Sequence, residues 1–123
     1  MGFGFTRAAR HVAGLVAAGA LLAGLSVGLA AYASHATSGD AQAALQTAAV
    51  FAFGHGIVLV VLGRAVRGAL EMTSLLMLLL GTLLFAGALV SRYLFAGPAF
   101  YAPWGGMLTM LGWALQAVAA LRR

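Results

Sequence analysis

The sequence predicts an all-α membrane protein: one domain over residues 1–123, built as a bundle of four transmembrane helices with both termini cytoplasmic. Three observations predict it. Hydrophobic residues make up 63% and charged residues 7% of the chain, whereas about a quarter of a soluble domain is charged. The mean hydropathy is +1.03, and the apolar residues fall into runs of roughly the 20 residues that a bilayer core of about 30 Å demands. The seven basic residues, all arginine, sit singly or in pairs at the ends of those runs. A net charge of +5 would suggest nucleic acid in a soluble chain. Here it serves as a topology signal with phospholipid headgroups as its partners, and no nucleic-acid partner is expected.

Residues 1–11 form a basic head with Arg7 and Arg10. The apolar run that follows could be a signal peptide, and Ala31-Tyr32-Ala33 resembles a cleavage site. Its length of about 20 residues exceeds the 7–15 of a signal h-region, so it is read as an uncleaved helix over 11–33. Ala20, Gly24 and Gly28 recur on it at four-residue spacing and would allow another backbone to approach closely. Residues 34–40 read as a polar loop ending in Asp40, a natural N-cap.

The second helix, over 41–63, carries Gln42 and Gln46 near its start and a small-residue stripe of Ala44, Ala48, Ala52 and Gly56 beside His55. Arg64, Arg67 and Gly68 make a basic connection. Glu71, in the first turn of a third helix over 69–92, is favoured by the helix dipole and can meet Arg67 at four-residue spacing. An aromatic and Gly/Pro-rich loop then leads to Pro103, suited to the first turn of a fourth helix over 104–121. Gly105, Gly106 and Gly112 are its candidate packing positions, with Gly24, Gly28, Ala52 and Gly56 on the earlier helices.

Orientation follows from the arginines. Arg7, Arg10, Arg64, Arg67, Arg122 and Arg123 fall on one side and Arg92 on the other, so the six-to-one side is expected to be cytoplasmic. Tyr32, Tyr93, Tyr101 and Trp104 then gather at the outer interface as an aromatic belt.

His55 is the most deeply placed ionisable group, roughly 14 Å along its helix from Arg64. At that depth a neutral ring is expected, needing one donor and one acceptor. Trp113 and Gln116 lie at comparable depth; Gln46, Thr47 and Thr82 complete a candidate intramembrane polar cluster, with Ser26 a further deep hydroxyl. Intramembrane ionisable residues are functional candidates, and a hydrogen-bonded tie between helices is an equal reading. Proton relays pair histidine with an acid inside the membrane, yet Asp40 and Glu71 both fall at helix ends. His35, in or near the outer loop, could share a metal or haem with His55 only if that loop dipped into the bundle, so no metal or cofactor is expected. His11 carries no chemistry. No cysteine, nucleophile elbow, phosphate loop or paired carboxylate occurs, and the expectation is no enzyme and no catalytic residue.

Three stretches together resemble a family of small four-helix bacterial inner-membrane proteins termed domain of unknown function 423. They are Leu45-Gln46-Thr47-Ala48 with His55, Leu84-Phe85-Ala86-Gly87-Ala88-Leu89, and Ala102-Pro103-Trp104-Gly105-Gly106 with Gly112-Trp113; His35 matches the family's histidine after the first helix. The chain departs at Phe51 and Ala52, where the family has a Tyr-Gln pair, and at Gly54, where it often has an aromatic. The resemblance implies a fold and a multi-pass location in the bacterial inner (plasma) membrane. It implies no activity. The expected role is a non-enzymatic protein packing as a homo-oligomer or accessory subunit of a larger membrane complex through small-residue faces. The alternative is a conduit or carrier for a small solute or ion, lined by His55, Gln46, Thr47 and Gln116.

Overall fold

A computed structural model describes residues 7–122; the expectations for residues 1–6 of the basic head and for Arg123 lie outside the described residues. Four helices occupy nearly all of it: α1 (Arg7–Ala36), α2 (Gly39–Gly63), α3 (Ala69–Phe95) and α4 (Ala102–Leu121). Each is long and apolar enough to cross a membrane.

All four helices run longer than the hydropathy pattern suggested, by two to seven residues, because their polar or aromatic ends continue the helix instead of breaking it. The loop expected over 34–40 shrinks to Thr37 and Ser38. The Thr37 hydroxyl donates to the Ala33 carbonyl at 2.6 Å and the Gln42 amide reaches the same carbonyl at 3.1 Å, closing the last turn of α1. Ser38, not Asp40, takes the N-cap of α2 in extended backbone. Gly39 follows at φ +62°, a left-handed conformation that glycine adopts without a Cβ penalty and that reverses the chain within two residues. Asp40 lies one position further on, in the first turn, where the helix dipole still favours its charge.

At the start of α3, Glu71 accepts from the backbone N–H of Arg67 at 2.9 Å, so the two residues anticipated to meet do so through the Arg67 main chain. The far end of α3 closes on Ala96, a non-glycine residue at φ 52°, whose backbone N–H and that of Gly97 both reach the Ser91 carbonyl.

The main interfaces are α1–α2, α2–α3 and α3–α4: two helical hairpins joined through α2 and α3. One end of this array carries Arg7, Arg10, Arg64, Arg67 and Arg122, and the other carries Tyr32, Arg92, Tyr93, Tyr101 and Trp104. A leucine cluster of Leu15, Leu59, Leu75 and Leu78 joins α1, α2 and α3. Nearer the aromatic end, Ala48, Ala52 and Ala86 form a second cluster, packed by Leu29, Leu89 and Val90.

Within each hairpin the backbones touch at glycines. A Cβ on Gly56 would lie 2.7 Å from the Gly19 carbonyl oxygen, and one on Gly19 would lie 2.6 Å from that of Gly56. On α3 and α4, a Cβ on Gly105 or on Gly81 would lie 2.8 Å from the other's carbonyl oxygen, and one on Gly112 would meet Leu78 at 2.9 Å. Of the anticipated packing positions, Ala52, Gly56, Gly105 and Gly112 are therefore buried at interfaces within the chain. Gly24, Gly28 and Gly106 are not: a Cβ on any of them would meet nothing within 4 Å. The reason is angular. At about 100° per residue, Gly24 and Gly28 point about 140° and 180° away from Gly19, the residue that α1 turns toward α2.

A candidate site around the intramembrane histidine

His55 lies eight residues before the end of α2, about 12 Å along the helix from the arginine-bearing end of the array. Its ring is half-buried. Nδ1 lies 2.9 Å from the Phe51 carbonyl oxygen one turn back, and Nε2 lies 3.1 Å from the indole Nε1 of Trp113 on α4. These two contacts define the tautomer. An indole N–H can only donate, so Nε2 accepts; a carbonyl can only accept, so Nδ1 carries the proton. In this tautomer both ring nitrogens are engaged.

Aromatic rings surround the pair. Phe51 lies 4.3 Å from the imidazole between ring centroids and 4.5 Å from Phe85 of α3, and the imidazole lies 5.9 Å from the Trp113 ring. The row thus runs from α3 through α2 to α4. Trp113 keeps 42% of its surface exposed, so the hydrogen bond lies along the lipid-facing seam between α2 and α4 and not in an enclosed chamber.

The other members of the anticipated cluster are not gathered here. Gln46 reaches outward to the Ser34 hydroxyl at 3.3 Å. Thr47 and Thr82 bond back to Ala43 and Leu78 of their own helices, and Gln116 makes no side-chain hydrogen bond among the described residues. Gln46 and Thr47 line a shallow cleft with Val50 and Phe51, while Thr82 lines a separate apolar one with Ser26. Every buried side-chain nitrogen and oxygen among the described residues has a partner. His35 is exposed in the last turn of α1, near the end where α2 begins and some sixteen residues of α2 away from His55, and the described residues contain no group of three or more potential metal ligands.

Two buried hydroxyls that the sequence reading passed over join α3 to α4. Ser74 donates to the Gly112 carbonyl at 2.9 Å across the interface. Thr109, bonded to the Gly105 carbonyl of its own helix at 2.9 Å, fills the space facing Gly81. The signal for both was present in the spacing of Gly105, Thr109 and Gly112, four and then three residues apart, which makes one small-residue face of α4.

Chemically, the histidine pair is a tie. Its imidazole has no spare lone pair to offer a metal or a proton while Trp113 occupies Nε2. It links α2 to α4, helices that otherwise meet chiefly through α3, and a hydrogen bond of this kind inside a membrane is worth about 0.6–2 kcal/mol. Among known proteins, a family model described as Protein of unknown function (DUF423) matches residues 29–112. Neither a curated protein nor a solved structure matches the chain.

Proposed function

The chain belongs to the DUF423 family of proteins of unknown function, and on that footing we propose that it is a non-enzymatic, multi-pass protein of the bacterial inner membrane that assembles with itself or with a larger membrane complex through helix faces. On this proposal both termini are cytoplasmic. The supporting observation is the concentration of Arg7, Arg10, Arg64, Arg67 and Arg122 at one end against Arg92 at the other, read by the positive-inside rule.

The observation that carries assembly is the double use of small residues on α1. One face, at Gly19, is in backbone contact with Gly56. The opposite face holds Ala20, Gly24 and Gly28, all exposed, with open space beside both glycines. Small residues at this spacing let helix backbones approach within a membrane, where packing and not hydrophobicity drives association.

The test is replacement of both outer glycines, Gly24→Leu with Gly28→Leu, followed by energy-transfer measurements of self-association in bilayers and cross-linking in native membranes. The native chain is expected to associate and the double variant to lose at least tenfold in association. A native chain that is monomeric in bilayers, and that cross-links to no partner in native membranes, would sink the proposal. A conduit draws no support from this arrangement, because Gln46 and Thr47 line a shallow cleft with Val50 and Phe51 while His55 is paired with Trp113.

A further inference from the structure

We propose that the arginine-rich end of the protein holds a site for the headgroup of an anionic phospholipid, in the cleft between the start of α1 and the α2–α3 connection. The cleft has a volume of about 400 Å³. His11 and Arg67 supply its polar lining, and Val12, Val66 and Met72 supply apolar walls. This is the division an interfacial lipid needs: hydrogen-bond donors and positive charge for the phosphate, with hydrocarbon alongside for the upper acyl chains.

Arg67 is the centre of the argument. Glu71, four residues on, accepts from the Arg67 main-chain N–H, and Arg67 itself lines the cleft beside His11. It is exposed in the short connection between α2 and α3, at the ends of two helices long and apolar enough to cross a membrane. Arg64 lies one turn away on the same connection and Arg7 and Arg10 on α1 beside the cleft, so the local field is strongly positive. A second cleft on the other side of the α3 start, shared by Arg67 and Arg122, also contains Glu71. Its carboxylate disfavours an anion there, and the His11 side is the one that fits. The occupant is a lipid because a soluble phosphate would leave the apolar walls exposed. The site does not depend on self-association.

The test is a titration of the full-length chain in mild detergent with dioleoylphosphatidylglycerol or dioleoylphosphatidylcholine, read by native mass spectrometry as bound lipid per protein. The native chain is expected to bind the glycerol lipid several-fold more tightly than the choline lipid. Arg67→Gln should weaken the glycerol lipid roughly fivefold, the factor that one interfacial cation supplies. Ala8→Trp, which fills the cleft from α1 and removes no charge, should weaken it comparably; circular dichroism confirms that each variant is folded. Arg92→Gln, at the opposite end, should change it less than twofold. Equal binding of the two lipids, equal losses in Arg67→Gln and Arg92→Gln, or no loss in a folded Ala8→Trp would each overturn the site. Full competition by free glycerol 3-phosphate would overturn the lipid as its occupant.

Discussion

The two hairpins solve the same packing problem in different ways. In α1–α2 the backbones meet at Gly19 and Gly56, with the Ala23 and Val60 backbones alongside, and the polar links are the Gln42 and Gln46 amides near the aromatic end. In α3–α4 the glycine contact between Gly81 and Gly105 is reinforced by buried Thr109 and by the Ser74 bond to Gly112. Their turns are also opposite in chemistry. The first hairpin reverses on Gly39 at φ +62° and the second closes its leading helix on Ala96 at φ 52°. The interior of the α3–α4 pair is thus the more strictly specified, and its turn is the more strained. That contrast teaches where each hairpin is vulnerable: one along its helices, the other at its loop.

The largest expected effect comes from the α3–α4 crossing. Gly105→Ala forces a Cβ into the α3 backbone and should cost about 3 kcal/mol, the upper part of the overpacking range, measured by unfolding in mixed micelles. The same change at Gly24 or Gly28 should leave monomer stability within about 0.5 kcal/mol, since these positions face open space. Equal losses at Gly105 and Gly24 would erase the distinction between inner and outer small-residue faces. Next in size, Ser74→Ala should cost about 1–1.7 kcal/mol by removing the cross-helix bond.

The turns should respond with opposite signs. Ala96→Gly relieves the left-handed alanine and is expected to stabilise by about 1 kcal/mol, whereas Gly39→Ala should destabilise by about the same amount. A matching sign in the two variants would show that the turns are equivalent after all. The smallest effect is expected at the histidine pair. Trp113→Phe keeps the ring and removes the N–H, and should cost about 0.6 kcal/mol by the same unfolding assay.

Much of the fold was legible because depth is nearly one-dimensional in a membrane. Apolar length and arginine position give each residue's height, and height alone was enough to match His55 with Trp113 across 58 positions of sequence. The angle around each helix was much less legible. In a chain with 17 glycines and abundant alanine, small residues occur on every face, and no apolar periodicity separates an inner face from an outer one when lipid solvates both. Hence Gly19, the residue that meets Gly56, does not stand out from Gly24 and Gly28, which leave their neighbouring space open. Gln46 and Thr47 were placed with His55 by chemistry, while Gln46 lies about 14 Å further along α2, where Ser34 is the nearer partner.

The bond from Trp113 to His55 also makes the protein its own optical gauge. The chain contains two tryptophans, and Trp104 lies exposed in the first turn of α4, away from the histidine. In a Trp104→Phe background the remaining indole emits from the seam between α2 and α4 alone. Its N–H is bonded only while the two helices keep their spacing, so a blue shift of emission reports their separation without any added label.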